Sequence, residues 1–403
     1  MSTADVEGTP PELWVHAVAA KAGGGVTYLR SVVPELIRQI DGRGVRVILL
    51  LPEPWRGDPL PDWVEARPLT RIARNPALRV IFDQVVFPFW LARRGNARAY
   101  CSGSFAPLWK PAPTVVLLRN AIYFDEEFLA RELPLRRLTL RLRGALIIAA
   151  ARSCKRVLYP SAAMRDLVER RHATVRGRGL VNGYGVAPAF AGSPEAPRPQ
   201  PAFEPPRFLY VMNYTLQKNL GFVLEALAQA RREGLRVRVV LTSRLERGPR
   251  ACFARDRALI DENRLVDDGY LELVGPKYGA ELMGLYRAVD ACLFPSICES
   301  FGHPLLEAMA MRRPVIAADR PYAREVCGPL ATYVDPTRPE SLVEVWRSGI
   351  WRCRPSCEHP RLAAFSWQRH VQRLVHELVA DALERDAPRL ECEPVRVAGA
   401  ASR

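Results

Sequence analysis

The chain has 403 residues, 48% hydrophobic and 25% charged, which is enough for two ordinary cores and excludes a disordered chain. Its apolar run near GALIIAAA is far too short to cross a bilayer, and the start MSTADVEGTPPELW lacks the basic and apolar regions of a secretory leader, so a cytoplasmic protein is expected. The net charge of +15 is concentrated in residues 1–200, which hold 29 Lys and Arg against 17 Asp and Glu; such a surface attracts nucleotides, nucleic acid or acidic headgroups without choosing among them.

In chain order, ELWVHAV, VRVILLL, PTVVLL and RVLYP read as strands, and VTYLRSVVPELIRQI and AAMRDLVERR as helices. Between the first strand and first helix, AKAGGGVTYLRSVV carries Gly23, Gly24 and Gly25. Three glycines let backbone approach a phosphate or an acceptor closely; a plain flexible turn is the competing reading. Residues 131–156, RELPLRRLTLRLRGALIIAAARSCKR, hold eight basic residues and one acid among Leu and Ile. That segment suits either an anionic bilayer surface or a helix packed on a sheet with a solvated Arg face, and packing is the favoured reading.

Residues 188–206 contain seven prolines and read as a linker, since proline neither donates to a ladder nor continues a helix. Beyond it, FLYVMN, VRVVLTS, LELVG, ACLFPS and PVIAAD read as strands, with helices in LGFVLEALAQARRE, AELMGLYRAV and PLLEAMAM. Both halves predict an α/β, Rossmann-like domain: residues 1–187, then the linker 188–206, then 207–365, with a C-terminal helix and tail over 366–403. That last helix, SWQRHVQRLVHELVADALERD, reads equally as a simple cap or as something functional. Ligands of such sheets bind at the carboxyl ends of the strands, so two facing domains would share one cleft. Nine scattered cysteines without CxxC pairs fit reduced thiols, and the closest pair, Cys353 and Cys357, reads as a surface turn rather than a metal site.

The most informative stretch is ICESFGHPLLEAMAMRRPVIAAD, residues 297–319. A loop leads from a strand into a helix with Pro304 at its first position, where the missing N–H costs nothing. Gly302 permits close backbone approach, and the free amides at the helix start form an anion site suited to a diphosphate. Glu299 and Glu307 flank that position, and carboxylates there can accept hydrogen bonds from the paired hydroxyls of sugars. The bland alternative makes Glu307 a first-turn cap and Glu299 a solvated loop acid.

PSICESFGHPLLEAMAMRRPVIAADRPYAREVCG closely resembles the E-x7-E signature of glycosyltransferase family 4, retaining enzymes of the GT-B fold. The resemblance implies two Rossmann-like domains facing across a cleft. It also implies that Glu299 contacts hydroxyls of the donor sugar, that Glu307 contacts the nucleotide ribose, and that backbone from Ser300 through Phe301 and Gly302 to His303 lies along the sugar and diphosphate. FLYVMNYTLQKNLGFVLEALAQA resembles the family segment ending in Lys-Asn, which implies that Lys218 binds the donor diphosphate; a cation there stabilises charge developing on the leaving phosphate. Asn213 replaces an Arg common in the family, implying a thinner clamp or one supplemented from elsewhere. The Gly23–Gly25 loop resembles the family's Gly-rich loop. At PTVVLLRNAIYF the family often has His followed by Asp or Asn, and this chain has Arg119 and Asn120. A guanidinium there suits an anionic or altered C6 substituent on the donor; the alternative is a changed hydrogen bond, with Asn120 orienting the acceptor.

These residues together predict a retaining transferase moving a sugar from a nucleotide-sugar donor to a glycan, lipid-linked saccharide or small-molecule acceptor. Peripheral contact with an anionic membrane is the remaining partner reading, and nucleic acid is not expected. The nucleotide-sugar would be substrate, with no cofactor; no D-x-D occurs, and no metal site is expected. An epimerase or phosphorylase on the same architecture and a non-enzymatic basic binding protein are the competing classes.

Overall fold

A computed structural model describes residues 10–21, 23–190, 204–352 and 360–383. Most of the proline-rich segment (191–203), the Cys353 and Cys357 pair and the tail beyond 383 lie outside the described residues.

The short apolar runs form two all-parallel sheets. The first contains β1 (Glu12–His16), β2 (Arg46–Leu51), β3 (Val64–Pro68), β4 (Ala97–Cys101), β5 (Thr114–Leu117), β6 (Arg156–Tyr159) and β7 (Gly179–Val181), in the order β3-β2-β1-β4-β5-β6-β7. The second contains β8 (Arg207–Tyr210), β9 (Arg238–Leu241), β10 (Leu271–Leu273), β11 (Ala291–Phe294), β12 (Val315–Ala318) and β13 (Thr332–Val334), in the order β10-β9-β8-β11-β12-β13. Every residue of β1, β5, β11 and β12 is buried, because helices cover both faces and leave no solvated side to alternate with. Strand order reverses between β1 and β4 in one sheet and between β8 and β11 in the other, and a crevice opens at the carboxyl ends of the strands at such a reversal.

Four strands escape the sequence reading. β4 is ARAYC, β3 is VEARP, and β7 and β13 are three residues each, so none presents the apolar run that marks a parallel strand. They are strands because neighbours pair with them. The helical stretch from Pro76 to Ala92 also went unpredicted: it contains Pro88 and a π-helical turn, Phe82–Val86, that breaks the 3.6-residue period.

The helix Gly24–Ile40 buries Tyr28, Leu29, Val32, Val33, Leu36 and Ile40 on one face. Against it lies the C-terminal helix Trp367–Leu383, which returns from the second half of the chain to the first. His370 fixes the crossing: its Nδ1 lies 3.1 Å from the Gly183 carbonyl and its Nε2 lies 2.7 Å from the Tyr28 hydroxyl, which also meets the hydroxyl of Tyr100. Burial holds the His370 imidazole neutral, its pKa pushed down to about 4, so Nδ1–H donates to Gly183 and Nε2 accepts from Tyr28.

The helix Pro134–Ala151 has two apolar faces. Leu140, Gly144, Ile147, Ile148 and Ala151 pack inward, as the packing reading expects, while Leu135, Leu138, Leu142 and Leu146 are each more than half exposed. Its arginines are partly engaged: Arg136 and Arg141 pair with Glu132 and Glu126, and Arg137 donates to the carbonyls of Leu129 and Ala130.

Candidate functional site

The expected cleft lies where the two switch points face each other. From the second domain come Met212 and Asn213 after β8, Lys218 on the turn Leu216–Lys218, and the loop from β11 into the helix His303–Ala310. From the first come Gly23 and Gly24, Thr27 and Arg119. The helix starts one residue before the expected position, with Gly302 at its N-cap and Pro304 second. Gly302 has φ +98°, a left-handed value that disfavours any side chain.

Lys218 and Glu299 converge directly, with Nζ 2.6 Å from Oε1 and both side chains less than one-fifth exposed. Glu299 is therefore not a solvated loop acid. The ammonium also lies 4.8 Å from the centroid of the Phe294 ring, and the Lys218 carbonyl accepts from the Tyr210 hydroxyl, which fixes the turn that carries it.

Glu307 does not cap its helix. Its side chain is buried and Oε2 accepts from the Tyr286 hydroxyl at 2.8 Å. Burial raises the Glu307 pKa to about 7, against the opposing pull of the Tyr286 hydrogen bond and the Lys218 charge. His303 is partly buried, stacked in parallel on Tyr184 at 4.9 Å, and its pKa falls to about 3 through desolvation and then the nearby Arg119 and Lys218 charges. Its Nε2 is buried and has no hydrogen-bond partner among the described residues.

The glycine loop is held close to these groups from across the cleft. A Cβ on Gly23, whose φ is +55°, would come 3.0 Å from the Asn213 amide; one on Gly24 would come 3.4 Å from the His303 ring and 3.7 Å from the Arg119 guanidinium. Ser300 ties the same wall together, donating to the Arg119 carbonyl at 2.7 Å while its own carbonyl accepts from Ser161 at 2.6 Å.

The structure thus brings Gly23, Gly24, Arg119, Asn213, Lys218, Glu299, Ser300, Phe301, Gly302, His303 and Glu307 to one cleft. It places two candidates elsewhere. Gly25 and Asn120 line a neighbouring first-domain cavity; a Cβ on Gly25 would come 3.0 Å from the Ala20 backbone, and the Asn120 side chain accepts from the Ile122 amide. Tyr184, Lys277 and Tyr286 were missed. Lys277 lines the cleft from the second domain, and nothing in its GPKYG setting distinguishes it in sequence from a solvated loop lysine. Tyr184 and Tyr286 sit outside any recognisable motif and reach the site only through tertiary packing.

Comparison with known proteins bears on the fold and on the second half of the chain. Residues 205–347 match the family model described as Glycosyl transferases group 1. An O-antigen chain mannosyltransferase, RfbU, of Salmonella typhimurium is 44% identical over 70 residues, 17% of this chain and 19% of that protein. A D-inositol 3-phosphate glycosyltransferase of Salinispora tropica is 34% identical over 102 residues, 24% of this chain and 20% of that protein. These matches span about a fifth of the length of each curated relative. Sucrose-phosphate synthase from Thermosynechococcus elongatus superposes with a TM-score of 0.63 at 18% identity, covering 93% of this chain and 99% of that one. The chain has the GT-B fold, two Rossmann-like parallel-sheet domains, and its second domain matches the Glycosyl transferases group 1 family over residues 205–347.

Proposed function

We propose that the protein is a retaining glycosyltransferase that moves a sugar from a nucleotide-sugar donor to a hydroxyl of a lipid-linked saccharide or other glycan. The observation that carries this reading is the convergence of Lys218, Glu299 and Glu307 around the start of the helix His303–Ala310, at the switch point of the second sheet. A diphosphate at that helix start meets the free backbone amides and the positive end of the helix dipole. Lys218 adds a cation on the leaving oxygen, and Lys277, which lines the cleft while its ammonium pairs with Glu281 at 2.8 Å, would turn to the phosphate to supply the charge that Asn213 does not.

Before donor binds, Glu299 and Lys218 neutralise each other. With donor in place the ammonium turns to phosphate and the carboxylate accepts from sugar hydroxyls, so each group exchanges one hydrogen-bonding partner for another. The free oxygen of Glu307 accepts from the ribose. His303, kept neutral, offers its unpartnered Nε2 to a further hydroxyl. The glycosidic bond breaks towards an oxocarbenium-like centre, the diphosphate leaves, and the acceptor hydroxyl attacks from the same face, losing its proton to the leaving phosphate oxygen. Gly23 and Gly24 close over the sugar and exclude water as a competing acceptor.

The test is a thermal-shift panel of nucleoside diphosphates and their sugars, followed by NMR assignment of the product anomer. Stabilisation growing with the logarithm of ligand excess and a product of the donor's own configuration are expected. An inverted product, or turnover unchanged in Glu299→Gln/Glu307→Gln, overturns the reading. Sugar isomers or sugar phosphate formed without an acceptor would instead assign an epimerase or a phosphorylase.

A further inference from the structure

Next to the donor cleft, at the carboxyl ends of β1, β4 and β5, lies a second cavity whose lining includes Arg79, Ser102, Ser104, Arg119 and Asn120. Its charged lining residues are the two arginines; no acid lines it among the described residues. We propose that this cavity is an anion subsite, and that the protein's acceptor is a phosphorylated molecule whose phosphate lies between the guanidinium groups of Arg79 and Arg119.

The construction around Arg79 carries the inference. The helix Pro76–Ile81 is a surface element, with Leu78, Val80 and Ile81 exposed, yet its Arg79 side chain is only 19% exposed. It is drawn inward by Asp83, whose Oδ2 lies 3.4 Å from Nε. Asp83 is itself buried, because the π-helical turn Phe82–Val86 rotates it towards the sheet, where its Oδ1 accepts from His16 Nε2 at 2.9 Å. Phe82 and Phe87 pack on the His16 ring with centroids 5.9 and 4.8 Å away. His16 alone would satisfy a buried Asp83. The additional partner is an arginine fixed from behind, with the rest of its fork free to face the cavity.

Arg119 is fixed with equal care. Its amide donates to Ser104 Oγ at 3.1 Å, its carbonyl accepts from Ser300, and its guanidinium lies 5.1 Å from the centroid of the Tyr28 ring. Among the described residues no carboxylate forms an ion pair with it. Asp83 offsets the charge of Arg79, so the cavity carries the net positive charge of Arg119. Gly103 gives the cavity bare backbone beside Arg79: a Cβ there would come 2.7 Å from the Ala19 methyl, too close to fit, and 3.9 Å from the Arg79 guanidinium. Ser104, next to it, has φ +68°, a strained value for a residue with a side chain, which directs its hydroxyl to the Arg119 amide.

Arg119 lines the donor cleft as well, so an anion held here stands beside the reacting sugar. That position makes it an acceptor subsite and rests on the transferase reading; the binding of an anion does not. The test is therefore calorimetric titration without donor or turnover, using glucose 6-phosphate, glucose and methyl glucosyl 1-phosphodiester on the whole chain. Glucose 6-phosphate or the diester should bind wild type and Lys218→Ala alike, and at least tenfold more weakly to Arg79→Gln and to Arg119→Gln, with Arg79→Lys intermediate. Preference for the monoester assigns a sugar phosphate, and preference for the diester a phosphate-linked carrier. Unchanged binding to both arginine variants, loss of binding in Lys218→Ala, or equal binding of glucose overturns the proposal. Because two arginines on separate elements are varied, misfolding of one variant leaves the other decisive.

Discussion

If Glu307 accepts from the ribose as proposed, nucleotide binding depends on pH in a calculable way. Its carboxyl is buried against Tyr286 with a pKa near 7, and accepting a ribose hydroxyl on its free oxygen requires the ionised form. Below pH 7 the proton must leave first, so affinity falls by a factor of 1 + 10^(7 − pH): about tenfold between pH 8 and pH 6, or about 1.4 kcal/mol. Isothermal titration of a nucleoside diphosphate at pH 6, in two buffers of different ionisation enthalpy, should show close to one proton released per ligand bound. Glu307→Gln should lose both the release and the slope, while any ionisation of the diphosphate itself is common to both proteins and cancels in the comparison. His303 and His370 do not interfere, since their pKa values of about 3 and about 4 keep them neutral over this range. The unliganded fold carries the matching signature. A carboxyl whose pKa is raised on folding leaves the folded state holding a proton that the unfolded chain has lost, so stability falls as pH rises from about 4.5 to about 7, by at most about 3 kcal/mol. Equal pH slopes for wild type and Glu307→Gln would refute the placement of that acid on the ribose.

Three further outcomes are expected. Lys218→Ala should weaken nucleoside diphosphate binding by about 10- to 100-fold in calorimetry, the loss of charge-assisted bonds worth about 1.5–3 kcal/mol, and unchanged affinity would remove Lys218 from the phosphate. Gly24→Val should lower turnover with little change in melting temperature, because the added side chain meets His303 and Arg119 at the cleft rather than core; normal steady-state kinetics would show that the loop does not close there. Leu138→Glu/Leu142→Glu should reduce co-sedimentation with anionic vesicles at low salt if the exposed leucine row of the helix Pro134–Ala151 lies on a bilayer, and equal sedimentation of both proteins would exclude that face.

What the sequence revealed, and what it hid, follows from where the determining physics resides. β1, β2, β5, β8, β11 and β12 are legible because burial on both faces writes itself as a run of consecutive apolar residues in each. β4 is not, although it is central: Ala-Arg-Ala carries no such run, and only pairing with β1 and β5 makes it a strand. In the site, Glu299, Glu307 and Lys218 belong to local motifs, and the family resemblance of those motifs, not their spacing alone, singles them out. Nothing singles out their partners. The Tyr286 hydroxyl on Glu307 and the Tyr184 ring on His303 arrive from elements 21 and 119 residues away, and no local pattern encodes such a meeting. Asn120 and Gly25 lie apart from the cleft for a related reason: each is adjacent in sequence to a cleft residue, but one step along the chain turns it into the neighbouring cavity.

The return of the helix Trp367–Leu383 to the helix Gly24–Ile40 bears on how such a molecule can be divided. A fragment ending before the proline-rich stretch would leave Tyr28 and Tyr100 without His370, and the apolar groove beside them uncovered by Val371, Leu374 and Leu378. The amino-terminal lobe therefore completes itself only when the last helix has been made, and cutting the gene at the obvious boundary should yield an insoluble first half.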